Sequence, residues 1–198
     1  MKVKIKICGI RSLESAKAAV LAGADFLGFN FVESSRRFVK PLDAKKIIET
    51  LKGKVKTVGV FQNQEINYIN DLVNFLGLDF VQLHGNESPE FCSEIRCKII
   101  KVFSNETIKT MKQYPVDYFL IDREEQGEGD VVDMERAAIV SAQYPLFLAG
   151  GLNQNNVLEM INLVKPYAVD VAGGIETEGV EDVGKIKEFL KIAKGGKL

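Results

Sequence analysis

The distribution of apolar and polar residues along the chain predicts eight short strands, each followed by a helix. Strands are indicated by short apolar runs, and helices by apolar residues three and four apart, as at Ile66, Ile69 and Val73. The predicted strands cover residues 3–8, 26–31, 55–61, 80–83, 97–103, 118–122, 146–149 and 167–171. The predicted helices cover residues 12–22, 41–51, 66–76, a segment beginning at Ser88, and residues 105–114, 133–143, 153–164 and 183–193.

Local signals support several of these boundaries. Ser12 and Ser88 are typical helix N-caps, and Pro41 suits the first turn of a helix. Gly23 ends the first helix. No cluster of helix- or strand-breaking residues is long enough to form a linker, so we expect one domain over residues 1–198, with a loose tail at 194–198.

Strands that alternate with helices form a parallel sheet, and eight such units can close into a (β/α)8 barrel. At 198 residues the chain is close to the lower size limit of about 200 residues for that fold. An open doubly wound sheet is the competing architecture. Against it, no Gly-x-Gly-x-x-Gly motif follows the first predicted strand.

Composition narrows the class of protein. With 46% hydrophobic and 27% charged residues and a net charge of −1, the chain is typical of globular proteins and has no electrostatic preference for nucleic acid or a membrane surface. The apolar runs are too short to span a membrane, and the N-terminus does not resemble a signal peptide. Three unpatterned cysteines indicate reduced thiols in the cytoplasm, and a single histidine argues against a metal site.

In a (β/α)8 barrel the functional groups lie at the carboxyl ends of the strands. Polar or reactive residues stand at many of these positions, although strand ends are also more polar than strand centres in general. The candidates are Cys8, Asn30, Gln82, His84, Asp122 and Asp170. His84 is expected to orient a substrate or to be a hydrogen-bonded polar residue beneath a loop.

Cys8 and Asp122 are the candidate proton-transfer groups. They end strands one and six, which lie three apart in a ring of eight, so the two side chains would face each other across the mouth. A thiolate base requires a lowered pKa at Cys8, and a carboxylic acid donor requires a raised pKa at Asp122. The alternatives are a small buried apolar cysteine, which suits Cys92 and Cys97 better, and a solvated aspartate.

Two glycine pairs predict a phosphate site. Gly150-Gly151 follows strand seven and Gly173-Gly174 follows strand eight, the usual phosphate-binding loops of this fold. Neither loop carries Lys or Arg, so backbone N–H groups would hold the anion. Two ordinary tight turns are the alternative. One arginine of the pair Arg36-Arg37, which follows strand two, could bind a substrate carboxylate through its planar guanidinium, or both could be solvated charges.

Several motifs, in order from the first strand to the eighth, resemble those of phosphoribosylanthranilate isomerase, an enzyme of tryptophan biosynthesis. They are Lys6-Ile7-Cys8-Gly9-Ile10, Gly28-Phe29-Asn30-Phe31, Ser35-Arg36-Arg37-Phe38, Gly59-Val60-Phe61, Val81-Gln82-Leu83-His84-Gly85, Ala149-Gly150-Gly151-Leu152 and Val169-Asp170-Val171. The combination of the first motif with Gln-Leu-His-Gly is specific to this family.

The resemblance implies a (β/α)8 isomerase that performs an Amadori rearrangement of N-(5′-phosphoribosyl)anthranilate without a cofactor. It implies that Asp122 is the general acid and Cys8 the general base, and that Arg37 holds the anthranilate carboxylate. Gln82 and His84 lie in the substrate-binding Gln-Leu-His-Gly motif, and Asp170 lies near the sugar hydroxyls. The two glycine pairs correspond to the phosphate site.

Two segments depart from the family pattern. Gly-x-Gly-x-x-Phe-Asp-Trp is usual after strand six, whereas residues 127–134 read Gly-Glu-Gly-Asp-Val-Val-Asp-Met. Loop eight has Ala172-Gly173-Gly174 where a serine is common. The rival functions are another phosphosugar isomerase or epimerase and a barrel that binds a phosphorylated metabolite without turnover. A monomer and a homodimer both fit the sequence.

Overall fold

Eight parallel strands pair in chain order in the computed structural model, and β8 pairs with β1, which closes the barrel. The structure describes residues 2–104, 106–122 and 134–195. The barrel strands are β1 Lys4–Cys8, β2 Phe26–Asn30, β3 Lys56–Phe61, β4 Phe80–Leu83, β5 Lys98–Phe103, β6 Tyr118–Ile121, β7 Leu146–Leu148 and β8 Ala168–Val171. The helices are α1 Leu13–Leu21, α2 Pro41–Leu51, α3 Ile66–Leu76, α4 Pro89–Ser93, α5 Ile108–Met111, α6 Met134–Ser141, α7 Val157–Val164 and α8 Val183–Ala193. The predicted (β/α)8 barrel is confirmed.

Elements with clear local signals have the predicted boundaries. The strand β4 and the helices α2, α3 and α8 begin and end where the sequence pattern places them. Ser12 accepts a hydrogen bond from the Ser15 N–H, and Ser88 accepts one from the Phe91 N–H, so both serines are the N-caps that were predicted.

Helices α5 and α7 begin later than predicted because side-chain hydrogen bonds hold the backbone that precedes them. Helix α7 begins at Val157 rather than at Asn153: the N–H of Asn155 donates to Oδ1 of Asn153 at 2.8 Å, and the N–H of Asn153 donates to Oδ1 of Asn156 at 2.9 Å. Helix α5 begins after Thr107, whose hydroxyl accepts the Thr110 N–H. The first predicted residues of helices five and six, 105 and 133, lie outside the described part of the chain.

Alternation along each strand separates two apolar layers. Residues such as Ile5 and Ile7 on β1 are fully buried in the layer between the barrel and its helices. Phe26, Phe80 and Phe147 belong to the other layer, inside the barrel, where the Phe26 ring packs edge-on against Phe80 at 5.6 Å and against Phe147 at 5.3 Å. The aromatic rings fill the interior away from the carboxyl ends of the strands, so the polar inward positions lie above them.

A short hairpin that the sequence pattern did not reveal follows β8. A 3-10 turn at Gly173–Ile175 leads into β9 Glu176–Thr177, which pairs antiparallel with β10 Val180–Glu181. The connecting residues have positive φ, 51° at Glu178 and 77° at Gly179, as a two-residue type I′ turn requires. This hairpin brings two carboxylates, those of Glu176 and Glu181, to the mouth of the barrel.

The end of the chain packs against its beginning. Lys194, which follows α8, donates from Nζ to the carbonyl of Ala22 at 3.2 Å, whereas residues 196–198 of the predicted tail lie outside the described part of the chain. None of the helices within residues 2–195 that the structure describes is long and apolar enough to cross a membrane. The same residues contain no cluster of three or more His, Cys, Asp or Glu side chains suited to a metal ion.

Candidate active site

All the residues predicted for the site line one cleft at the carboxyl ends of the strands. They are Cys8, Arg37, Gln82, His84, Asp122, Gly150, Gly151, Asp170, Gly173 and Gly174. The closed barrel explains their meeting, because the inward positions of parallel strands converge at the same end. Asn30, which was also noted at a strand end, lies in this lining, where its side chain hydrogen bonds to Ser35 and to the Val32 N–H.

Cys8 stands at the end of β1, half-buried, on a turn that is fixed by the backbone. The N–H groups of Gly9 and Ile10 both donate to the carbonyl of Gly28 at 3.0 Å, and Gly9 has a positive φ of 82°. Gly28 is the register partner of Cys8 on β2, and a Cβ there would lie 2.7 Å from the Cys8 sulfur. The thiol therefore occupies space that only a glycine on the neighbouring strand leaves free.

The pKa of Cys8 is raised, not lowered as was predicted. Burial of the thiol is the largest cause and favours the neutral form. The positive charges of Lys6 and Arg37 act in the opposite direction, while the negative charge of Asp170 adds to the increase. The prediction was wrong because it considered the reference pKa and position of the cysteine without the carboxylate and the apolar surroundings that the fold supplies.

Lys6 is a site residue that the sequence reasoning missed. It is fully buried inside the barrel, two residues before Cys8 on the same face of β1. Its ammonium donates to three acceptors: Oδ2 of Asp170 at 2.7 Å, Oε1 of Gln82 at 2.8 Å and Sγ of Cys8 at 3.1 Å. Burial is the largest single effect and opposes the charge, but the attraction of Asp170 and Cys8 outweighs it, and the pKa of Lys6 is raised.

Asp170 has one oxygen turned to the lysine and one without a hydrogen-bond donor. Its Oδ2 accepts from Lys6, its register partner across the β1–β8 pair. Its Oδ1 is buried and has no donor among the residues that the structure describes. An unsatisfied carboxylate oxygen in a cleft is a suitable acceptor for a ligand hydroxyl group.

Asp122 lies near His84, and Gln82 links His84 to Lys6. The distance from Nε2 of His84 to Oδ2 of Asp122 is 3.9 Å, and 13% of the Asp122 side chain is exposed. Because Oε1 of Gln82 accepts from Lys6, its Nε2 faces His84 and donates to Nδ1 over 3.5 Å. With Nδ1 as acceptor, the neutral imidazole carries its proton on Nε2, the nitrogen that faces Asp122.

Arg37 is held in the cleft by a carboxylate from the hairpin after β8. Nε of Arg37 donates to Oε1 of Glu176 at 2.7 Å, and a second guanidinium nitrogen donates to Oε2 at 3.1 Å. The stem of Arg37 crosses Gly9, where a Cβ would lie 2.7 Å from the arginine Cδ. Arg36 also donates to Glu176 at 3.1 Å, but its side chain is 65% exposed. Glu176 was not predicted as a site residue. The only sequence signal for its hairpin is the Glu178-Gly179 pair, which suits a tight turn.

The two glycine pairs come together at the ends of β7 and β8. Gly150 and Gly151 have positive φ values of 87° and 63°. Gly174 packs directly on the backbone at Leu152, and a Cβ at Gly174 would clash with the Leu152 carbonyl oxygen. The close packing of the two loops depends on the absence of a side chain, as expected of a site that surrounds an anion with backbone groups. The altered segment after β6, residues 127–134, lies outside the described part of the chain except for Met134.

Comparison with known proteins identifies the family. The family model described as N-(5′-phosphoribosyl)anthranilate (PRA) isomerase matches residues 5–192. The chain belongs to the N-(5′-phosphoribosyl)anthranilate isomerase family. The resemblance drawn from the motifs is therefore confirmed, and with it the prediction that the chain is an enzyme, an isomerase of tryptophan biosynthesis.

Individual members of the isomerase family match over almost their whole length. The N-(5′-phosphoribosyl)anthranilate isomerase of Geobacter sulfurreducens is 44% identical over 201 residues, covering 98% of this chain and 99% of that protein. The crystal structure of phosphoribosyl anthranilate isomerase from Thermotoga maritima has a TM-score of 0.86 and 38% identity, covering 98% of this chain and 99% of that one. A phosphoribosyl anthranilate isomerase in complex with reduced 1-(o-carboxyphenylamino)-1-deoxyribulose 5-phosphate has a TM-score of 0.85 and 37% identity, with the same coverage.

Proposed function

We propose that the chain converts N-(5′-phosphoribosyl)anthranilate into 1-(2-carboxyphenylamino)-1-deoxyribulose 5-phosphate by an Amadori rearrangement. The observation that supports this most directly is that Cys8 and Asp122, from strands separated by β7 and β8, line the same cleft as the two glycine pairs. A small phosphorylated substrate held there would lie between two groups that can exchange protons with it. Membership of the isomerase family supplies the identity of the substrate.

The first step of the proposed reaction opens the furanose ring. Asp122, in its carboxylic acid form, gives its proton to the ring oxygen as the bond from that oxygen to C1′ breaks. The nitrogen lone pair forms the C1′=N bond of a protonated Schiff base, and Asp122 is left as a carboxylate. His84, whose Nε2 is 3.9 Å from Oδ2, is placed to stabilise that carboxylate.

The second step moves a proton from carbon to sulfur. The thiolate of Cys8 takes the C2′ proton, and the electrons of the broken C–H bond form the C1′=C2′ bond while the C1′=N electrons return to nitrogen. The neutral enolamine then loses its C2′ hydroxyl proton and gains a proton at C1′, which yields the ketone. The chemistry uses a base and an acid on opposite sides of one substrate and needs no cofactor.

The remaining cleft residues would bind the substrate. Arg37 would hold the anthranilate carboxylate, and the backbone of the two glycine pairs would hold the phosphate. Asp170 would accept a hydrogen bond from a sugar hydroxyl through Oδ1, the oxygen that has no donor among the described residues. Gln82 and His84 would orient the sugar from the β4 side.

The cellular setting that we propose is the cytoplasm, with the chain acting as a single barrel domain that is a monomer or a homodimer. The three cysteines are all unpaired in the structure, in keeping with a reducing compartment. The partner is a small phosphorylated molecule, and the near-neutral net charge of −1 favours neither nucleic acid nor a membrane surface.

The test is turnover by purified protein supplied with N-(5′-phosphoribosyl)anthranilate, followed by the loss of anthranilate-type fluorescence. We expect turnover by the unmodified chain, and none by Cys8→Ala or by Asp122→Asn, while both variants still bind inorganic phosphate. The matched controls are Cys92→Ala in α4 and Asp117→Asn, and both should retain turnover. Asp117 lies at the opposite end of the barrel, where it accepts a hydrogen bond from the Ile99 N–H.

Two results would contradict the proposal. Unmodified protein that binds phosphate ligands without turnover would instead favour a binding barrel. Rates like those of the unmodified chain in Cys8→Ala or Asp122→Asn would remove those residues from the assigned roles while leaving the reaction itself intact.

A further inference from the structure

The ammonium group of Lys6 has no free donor and no lone pair. Its three N–H groups match the three acceptors around it, the Asp170 carboxylate, the Gln82 carbonyl and the Cys8 sulfur, at 2.7, 2.8 and 3.1 Å. The side chain is fully buried. Lys6 is therefore unsuited to take a proton from a substrate, and its influence on the chemistry must pass through the groups that it contacts.

A second buried lysine in the barrel shows what a structural ion pair looks like in this protein. Lys101 on β5 is 3% exposed and lies 3.2 Å from Oε2 of Glu87. Its other acceptors are the backbone carbonyls of Gly85 and Val102, at 2.7 and 3.2 Å. The contacts with Gly85 and Glu87 join β5 to the loop after β4, and all three acceptors of Lys101 are carbonyl or carboxyl oxygens, not sulfur.

The third acceptor of Lys6 differs because its quality depends on its charge. A neutral thiol is a weak hydrogen-bond acceptor, whereas a thiolate is an anion that a neighbouring ammonium stabilises. A buried cation also costs free energy unless it is fully paired. The hydrogen bond from Nζ of Lys6 to Sγ of Cys8 is therefore strongest when the sulfur is ionised.

We propose that Lys6 is a positioning residue for the isomerisation: its ammonium, fixed by Asp170 and Gln82, stabilises the thiolate form of Cys8, the form that removes the C2′ proton. This inference rests on the proposed function, in which Cys8 is the base. It assigns to Lys6 a part in the reaction that is separate from closing the barrel between β1 and β8.

The charged groups that face Cys8 determine the direction of the expected effect. They are Lys6 on the same strand, Asp170 on β8 and Arg37 after β2. Gln82 on β4 is neutral, and the further cleft residues are His84, which follows β4, and Asp122, which follows β6. Burial already raises the pKa of Cys8, and Lys6 is the strongest of the opposing influences. Removing the lysine charge should raise the pKa of Cys8 further and leave less thiolate at any given pH.

The experiment measures the rate of Cys8 alkylation by iodoacetamide as a function of pH in a Cys92→Ala, Cys97→Ala background. Removing those two thiols leaves Cys8 as the single site of alkylation. Their loss should not disturb the site, because neither residue lines the cleft, and burial raises the pKa of each to about 11, as expected of structural cysteines. Lys6→Met is compared with Lys101→Met, the matched loss of a buried, paired lysine. We expect the midpoint of the alkylation profile of Lys6→Met to move to higher pH by at least about one unit. At a pH below the midpoint, the alkylation rate should then be lower by about tenfold.

Turnover provides the second readout. In Lys6→Met, kcat should fall at least about tenfold at neutral pH, in proportion to the lost thiolate, with KM changed much less. Lys101→Met should lower the melting temperature while leaving the alkylation profile in place. An alkylation profile in Lys6→Met that coincides with that of Lys101→Met would overturn the proposal.

The design also separates the two hypotheses and allows for misfolding. If the unmodified chain shows no turnover, the proposed function fails, whereas the alkylation shift still tests the coupling of Lys6 to Cys8. If Lys6→Met does not fold because Asp170 is left unpaired, Lys6→Met/Asp170→Asn is compared with Asp170→Asn. A higher midpoint in the double variant supports the proposal, and equal midpoints overturn it.

Discussion

Arg37 and Glu176 form a two-point ion pair at the mouth of the barrel, with 2.7 Å between Nε and Oε1 and 3.1 Å between the second guanidinium nitrogen and Oε2. The carboxylate is 5% exposed and the arginine side chain 15%. Arg37 lines the cleft, whereas Arg36 reaches the same carboxylate from a position that is 65% exposed. Of these two adjacent arginines, only Arg37 has its guanidinium fixed at the lining of the cleft.

The first prediction separates the two arginines by their effect on substrate binding. Arg37→Met should raise KM about 10- to 100-fold, because a charge-assisted hydrogen bond to a carboxylate contributes ~1.5–3 kcal/mol, and should change kcat less. Arg36→Met removes the same charge outside the cleft and should leave KM within about twofold, since exposed charges contribute little. Steady-state kinetics of both variants measure this. Equal increases in KM would assign carboxylate binding to the general positive charge of this loop instead.

The second prediction concerns stability and pH at Glu176. Its burial favours the neutral form, but Arg37, Arg36 and Arg11 outweigh that effect and lower its pKa below the ordinary 4.5. The folded state therefore binds the proton more weakly than the unfolded state, so the ion pair stabilises the fold above pH 4.5 and this stabilisation is lost as the pH falls through the lowered pKa.

Urea unfolding of the unmodified chain and of Glu176→Gln, from neutral pH to below pH 4.5, measures this difference. The unmodified chain should be the more stable at neutral pH, and its advantage should shrink in the acidic range. Glu178→Gln, at an exposed position of the same hairpin, is the matched control for the loss of one carboxyl group, and it should change the stability at neutral pH by less than Glu176→Gln does. A difference for Glu176→Gln that is constant with pH would contradict the assigned ion pair.

The barrel was predictable because its signals are local and repeated. Each unit has a short apolar run, then a helix with a cap or a period of three and four residues, and eight such units imply closure. The predictions failed where side chains replaced backbone partners, as at Asn153 and Asn156 before α7. The hairpin at Glu176–Thr177 was missed because strands of two residues leave no period to detect.

The strand-end residues of the site were predictable for a topological reason, while the groups that adjust them were not. Cys8 and Asp122 could be predicted because they stand at the ends of strands, and the fold brings them to one cleft. Lys6 stands in a run that alternates lysine with isoleucine, and alternation divides a strand into two faces without stating which face is the barrel interior. The raised pKa of Cys8 follows from burial and from Asp170, which is distant in sequence and adjacent only once β8 pairs with β1.

The third prediction tests the space that Gly28 leaves for the thiol and the lysine. A Cβ at Gly28 would lie 2.7 Å from Sγ of Cys8 and 3.2 Å from Cε of Lys6. Gly28→Ala should therefore displace both side chains, lowering kcat at least about tenfold and costing about 1–3 kcal/mol of stability. Gly59→Ala on β3 would crowd Leu78 in the outer layer and should cost similar stability without the loss of kcat.

Urea unfolding and steady-state kinetics of the two glycine variants decide between a local and a general effect. Alkylation of Cys8 gives an independent check, because a displaced sulfur should lose its contact with Lys6 and react with an altered pH profile. If Gly28→Ala retains kcat while losing stability like Gly59→Ala, the close approach on β2 is a packing feature without consequence for the base.

The fourth prediction concerns the contact between the two glycine pairs. A side chain at Gly174 would press on the carbonyl of Leu152 and separate the loops after β7 and β8. Gly174→Ala should raise KM and weaken inhibition by inorganic phosphate by about tenfold each, the loss of about one charge-assisted hydrogen bond, while alkylation of Cys8 is unchanged. Gly184→Ala, in the first turn of α8, should leave both constants in place. Unchanged phosphate inhibition in Gly174→Ala would mean that the anion is bound by other groups, because displacing one loop must disturb any site that the two loops share.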